Sequence, residues 1–217
     1  MLKFYHVPLS SNGRRVWILL LEKGLEFEEV RMKLDGDHLT PEFLALNPFH
    51  HIPVLTDDDF TVIESLAIMD YLEAKYPSPG FTPTDAPSLA KMRMIQLVTA
   101  NELLPTLFPI LRNRLDLPEE PGKSLKAAQD QAATVLDFYQ KHLGDSSYLV
   151  GDQFTLADMV AVTMFLDLRF MGFSMENYPK LQAWCDRLLE RESVQKTTPT
   201  NEEIDVAYAS IKKMLEG

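Results

Sequence analysis

The stretch PSPGFTPTDAPS at residues 77–88 constrains the fold more than any other part of the chain. Pro77, Pro79, Pro83 and Pro87, with Gly80 among them, remove backbone donors and fix φ, so no helix interior or paired strand runs through it. The hydrophobic period differs on its two sides. Before it, strand and helix signals alternate; after it, apolar residues recur only at helical spacing. The sequence therefore predicts an α/β domain over residues 1–77, a linker over 78–88 and an all-α helical domain over 89–217. The 217 residues are enough for two such domains, and 46% hydrophobic with 24% charged residues is a globular balance.

In the first part a strand is expected over 3–7. A helix then opens near Ser10 to Gly13 and runs to Lys23, with Gly24 in the left-handed position past its end. A second strand is expected over 27–32. In TPEFLALN, Thr40 caps a short helix, Pro41 sits in its first turn and Asn47 stops it. IPVLTDDDFTVIE reads as a hairpin turning at Asp57 to Asp59, and SLAIMDYLEAKYP as a helix ended by Pro77. Helices are expected over 89–115, 125–142, 156–171 and 179–191. Thr155 and Asp158 form a capping box with a Phe154–Met159 staple, and Asn201 caps a last amphipathic helix.

Strand, helix, strand, hairpin and helix is the arrangement of a thioredoxin-like domain, whose ligand edge lies where the first helix begins and the third strand starts. PLSSNGRR and HHIPVL fall at those places. Ser10, Ser11 and Asn12 stand where a redox member needs a cysteine, which excludes thiol–disulfide exchange. In NPFHHIPVL a proline interrupts a strand-like run, which places it at an edge, a bulge or a special turn. His50 and His51 are adjacent and diverge on an extended segment, and no HxxxH or CxxC spacing exists, so no metal site is expected.

A net charge of -11 and a pI of about 4.9 argue against nucleic acid and anionic membrane partners, both of which need a basic face. The single cysteine, Cys185, excludes a disulfide framework and reads as a small buried hydrophobe. No signal pattern opens the chain, and its apolar stretches are interrupted short of a membrane span, so a cytoplasmic location is expected.

GDHLTPEFLALNPFHHIPVLTDDDFTVIESLAIMDYL resembles the glutathione-binding half of a cytosolic glutathione transferase, and YLVGDQFTLADMVAV resembles the helical-domain folding motif of that family. PLS before RRV, together with HLTPEF, resembles its serine-type phi, theta and zeta branch. The resemblance implies a homodimeric detoxification enzyme that conjugates the glutathione thiolate to small hydrophobic electrophiles. Peroxidase or dehalogenase chemistry is open to the same thiolate, with glutathione as co-substrate and no metal. It puts Ser10 at the catalytic hydroxyl that donates to sulfur beside a helix N-terminus, with Ser11 and Tyr5 as rivals. It further implies a cis Ile52–Pro53 bond with the Ile52 backbone pairing the cysteinyl part of glutathione; a trans proline on an edge strand is the alternative. His38 and His51 then face the glycyl carboxylate, Glu64 the γ-glutamyl amino group and Ser65 its carboxylate, with Asn101 or Glu102 reaching across a dimer. The electrophile is expected near Leu9, Asn12, Phe108, Leu111 and Arg112. Two other functions remain in view: a zeta-type glutathione-dependent isomerase, whose pattern has cysteine where Asn12 stands, and a binding module without turnover.

Overall fold

Strand β1 (Leu2–His6) alternates, with Leu2, Phe4 and His6 buried and Lys3 and Tyr5 half-buried, so its two sides serve two different layers. A computed structural model describes residues 1–33 and 36–216 of the chain. Helix α1 (Ser11–Glu22) follows β1, is capped by Ser10 and ends at Lys23, with Gly24 at φ 62° as the helix stop requires. Because α1 carries the chain back across the sheet, β2 (Phe27–Arg31) pairs parallel to β1. A 3-10 turn (Asp37–Leu39) and the short α2 (Pro41–Leu46) precede the hairpin β3 (Val54–Asp57) and β4 (Phe60–Ile63). The sheet order is β2-β1-β3-β4, with β3 antiparallel to both neighbours. Helix α3 (Ser65–Lys75) packs on α1. His6 faces that layer, its ring 4.9 Å from Trp17 of α1, whereas Tyr5 faces the other side, 6.4 Å from Phe43 of α2.

The chain divides into two compact units, residues 1–81 with 193–198, and residues 82–192 with 199–217. Within the first, the buried Lys23 ammonium holds the end of α3 and the first prolines of the linker together. It donates to Tyr76 O and Pro79 O, each at 2.7 Å, and pairs with Glu73 at 2.6 Å.

The second unit is helical throughout: α4 (Ala86–Val98), α5 (Leu104–Arg114), α6 (Leu125–Leu143), α7 (Leu156–Phe170), α8 (Pro179–Leu189) and α10 (Asn201–Glu216), while α9 (Glu192–Thr197) straddles the division. Helix α4 starts at Ala86, three residues before the apolar period does, because Asp85 accepts from Ser88 N at 2.9 Å and caps it inside the proline-rich stretch. A π turn, Thr99–Leu103, joins α4 to α5, with Leu104 N–H reaching Thr99 O. Pro105 has no N–H to close an ordinary turn there.

Three expectations are corrected. The helix expected over 179–191 breaks after Leu189 into α8 and α9. Thr200, not Asn201, caps α10: its Oγ1 accepts from Glu203 N at 3.2 Å and its N–H donates to Glu203 Oε2 at 2.8 Å, a capping box that the serine/threonine-x-x-glutamate spacing encodes. Finally, Ala86–Arg114 forms one helical run of 29 residues with mean hydropathy 1.3 in its most apolar stretch, which by length and composition suffices for a membrane span. Met92, Ile95, Leu103, Leu107 and Ile110 of that run are buried and it packs on α6 and α7, while Met94 and Leu97 are exposed.

Candidate functional site

The mouth of α1 is built from β1 outward. Ser10 has extended backbone (φ −71°, ψ 117°), and its Oγ accepts from Gly13 N at 3.3 Å. Accepting uses a lone pair, so the hydroxyl proton remains available to a ligand beside the free N–H groups of the first turn. Gly13 sits at a close approach: a Cβ there would lie 3.2 Å from His6 Cβ, tighter than ordinary contact. His6 is buried, stacked 4.3 Å from Phe4 with its Nε2 2.9 Å from Glu29 Oε1, and burial pushes its pKa down against the pull of that carboxylate. Ser11 is buried in the first turn, whereas Ser10 is half-buried. Tyr5 lies on the α2 face of the sheet, beside a cavity also lined by Asp37, Thr40 and Phe43.

The segment after α2 forms a tight turn around Asn47, which is 1% exposed. Its Nδ2 donates to His51 O at 2.8 Å, its Oδ1 accepts from Phe49 N at 3.0 Å, and its own carbonyl accepts from His50 N at 3.2 Å. His50 takes φ 60° within this turn, and His51 is exposed. Ile52–Pro53 is cis, so the trans edge-strand alternative does not hold. Among the described residues the Ile52 N–H and C=O have no protein partner. Ile52 and Leu9, the residue before Ser10, pack against the same buried group of Val7, Met32, Phe43 and Val54, which brings this turn and the α1 mouth onto one apolar base.

The third element is the start of α3. Glu64, exposed, has φ 67° and ψ 115° and caps nothing with its side chain. A non-glycine residue held at such a φ stores about 1–3 kcal/mol, and such residues concentrate at ligand sites. Glu64 thus leaves the first N–H groups of α3 without a side-chain cap. Ser65 is buried, with its Oγ 3.5 Å from Nη1 of the buried Arg15, a contact that ties α1 to α3. His38 is half-buried in the 3-10 turn with its Nδ1 enclosed and, among the described residues, without a protein partner.

All seven residues singled out in the first unit, Ser10, His38, His51, Ile52, Pro53, Glu64 and Ser65, therefore lie on loops and helix starts of that unit. Among the described residues no hydrogen bond or ion pair links Ser10, His38, His51 and Glu64 to one another. Phe108 and Arg112 lie on α5 of the second unit and line a cavity of about 50 Å³ with Leu117, Lys123 and Leu125; Leu111 does not. Arg112 is held over the Phe108 ring at 5.7 Å and donates to Pro118 O at 2.9 Å. Asn101 and Glu102 are exposed, Glu102 accepting from Gln131 at 2.8 Å. Cys185 is buried, and that burial pushes its thiol up to about 11, which leaves it unreactive. Among the described residues no group of three or more His, Cys, Asp or Glu is placed to hold a metal. Sequence reading missed Asn47, seen only as a helix stop, and Arg15, seen only as part of a motif. The tendency of asparagine to bond its own backbone two residues on is the one signal for the former.

Residues 4–80 match the N-terminal domain of glutathione S-transferases and residues 98–192 their C-terminal domain. The chain is 39% identical over 208 residues to glutathione S-transferase 3 of Zea mays, covering 90% of this chain and 92% of the relative. Its fold superposes on the crystal structure of glutathione transferase F7 from Populus trichocarpa with TM-score 0.79 and 30% identity, covering 91% and 97% of the two chains. On glutathione S-transferase-I bound with lactoylglutathione it superposes with TM-score 0.77 and 30% identity, covering 90% and 97%.

Proposed function

The chain belongs to the glutathione S-transferase family, and from that premise we propose that Ser10 is the thiolate-stabilising hydroxyl of a transferase that conjugates glutathione to small hydrophobic electrophiles. A thiol with pKa of about 8.5 is mostly protonated at neutral pH. Lowering it by one unit requires about 1.4 kcal/mol of preference for the anion. A hydroxyl donor contributes about 1 kcal/mol, and the N-terminus of a helix adds about 0.3–1 kcal/mol. The observation that carries this reading is that Ser10 Oγ accepts from Gly13 N and so keeps its own proton for the sulfur.

The rest of the tripeptide follows from the same site. The Ile52 N–H and C=O, which have no protein partner among the described residues, pair with the cysteinyl backbone in antiparallel fashion. His38 and His51 receive the glycyl carboxylate, His38 from the 3-10 turn and His51 from the exposed turn after α2. Ser65 and the first N–H groups of α3 take the γ-glutamyl carboxylate, and Glu64 takes its amino group. The electrophile lies against α5 near Phe108 and Arg112. The assembly is a homodimer, with the exposed Met94 and Leu97 of α4 part of the covered surface, and the location is the cytoplasm. Asn12, where the zeta pattern has cysteine, favours conjugation over isomerisation.

Ultraviolet titration of bound glutathione and the conjugation rate with an aromatic halide, for wild type and Ser10→Ala, test the proposal. The bound thiol should ionise below the free one, and the variant should lose about 0.7 of a pH unit of that shift and about fivefold in rate at neutral pH. Loss of turnover in Tyr5→Phe with retention in Ser10→Ala would transfer the role to Tyr5.

A further inference from the structure

We infer that Asn47 is the positioning residue of the glutathione site: it aims the Ile52 N–H at the ligand by holding the other end of the same peptide plane. The His51–Ile52 bond is trans, so the His51 C=O and the Ile52 N–H point in opposite directions from one rigid unit. Asn47 Nδ2 donates to that carbonyl at 2.8 Å from a side chain that is 1% exposed. Pinning the carbonyl toward the protein turns the N–H away from it, and the N–H has no protein partner among the described residues.

Asn47 is itself over-determined. Its N–H donates to Phe43 O at 2.9 Å at the end of α2, its carbonyl accepts from His50 N at 3.2 Å, and its Oδ1 accepts from Phe49 N at 3.0 Å. Every hydrogen-bonding function but one amide proton thus serves the turn. That turn contains His50 at φ 60°, a left-handed conformation uncommon among non-glycine residues though histidine adopts it more readily than most, and the Asn47 bonds to Phe49 N and His51 O span it. A serine at 47 keeps an acceptor for Phe49 N but is too short to reach His51 O.

The inference rests on the reading that the cysteinyl and glycyl parts of glutathione lie at this turn, and the experiment separates the two. Affinities of S-methylglutathione and of S-methyl-γ-glutamylcysteamine, which lacks both the cysteinyl carbonyl and the glycine, are measured for wild type, His51→Ala and Asn47→Ser. Asn47→Ser should bind the tripeptide about tenfold more weakly, the loss of one aimed hydrogen bond, and bind the truncated ligand as wild type does. The thiolate ionisation set at the α1 mouth should not move. Equal loss for both ligands, which a general structural role produces, overturns the inference, as does no loss for either. If His51→Ala fails to discriminate between the ligands, the placement of glutathione at this turn falls, and the inference with it. A readout independent of the variant's folding is amide exchange in the wild-type protein. The Ile52 N–H should be protected by S-methylglutathione and not by the truncated ligand, and equal protection by both counts against the proposal.

Discussion

His6 shows how one residue links packing to pH. Its ring is buried between Phe4 and the first turn of α1, and burial, working against the Glu29 carboxylate, holds its pKa below the ordinary histidine value. In the unfolded chain the imidazole takes a proton near pH about 6.5. In the window just below that pH the unfolded state therefore binds more protons than the folded one, so stability rises with pH there and is lost as pH falls through it. Urea midpoints for wild type should drop between about pH 7 and 5, and His6→Phe should flatten that part of the profile; parallel curves for the two proteins would exclude the linkage. Asp57 acts lower on the scale. Hydrogen bonds first from Lys75 and then from Tyr71 hold its carboxyl below the usual range, so its contribution is present at neutral pH and disappears in acid. At this scale Ser10, His38, Glu64 and Ser65 stand out through the resemblance of the short motifs that hold them, PLS before RRV, HLTPEF and IESLAIMDYL. The sequence does not expose Asn47 or Arg15, whose importance lies in what they touch, Arg15 meeting Ser65 from 50 positions away.

At the scale of elements, α7 is organised by one buried carboxylate. The helix is buried nearly all round, from Leu156 to Leu166, and Asp158 in its first turn is fully enclosed. Its oxygens accept from Thr155 N at 3.0 Å, Thr155 Oγ1 at 3.1 Å, Leu149 N at 2.9 Å and Trp184 Nε1 at 3.0 Å. Burial still lifts the carboxyl above the ordinary range against those four donors. Removing the shared acceptor strands several buried donors at once, so Asp158→Ala should cost about 3–5 kcal/mol. Trp184→Phe removes one donor and should cost about 1–2 kcal/mol through that bond. In the double variant the two costs should fall short of additive, because both single variants break the same bond. Urea denaturation followed by circular dichroism checks this, and additive losses would mean that Trp184 acts through its packing on Phe165 alone. The capping box was legible because its partners are three residues apart; the Leu149 and Trp184 bonds, spanning 9 and 26 residues, were not.

At the scale of the whole molecule, Ser193–Thr198 groups with the first unit although it comes after nearly all of the helical one. Ser193 bonds Glu22 of α1, and Val194 is completely buried. A fragment of residues 1–81 should therefore exchange its α1 amides faster than the intact chain does, and unchanged protection would show that the late segment is dispensable to the unit. By itself the sequence determined the class of each half, the order of the elements and most of their caps, because hydrophobic period and capping act over a few residues along the chain. Only the tertiary structure decided the cis bond at Pro53, the His51–Ile52 plane turned by Asn47, the burial of His6 and the late segment joining the first unit. The first two are set by the geometry of one turn, which residue spacing does not specify. The last two depend on contacts between residues distant in sequence, Glu29 with His6 and Glu22 with Ser193, and spacing along the chain carries no record of which distant surfaces will meet.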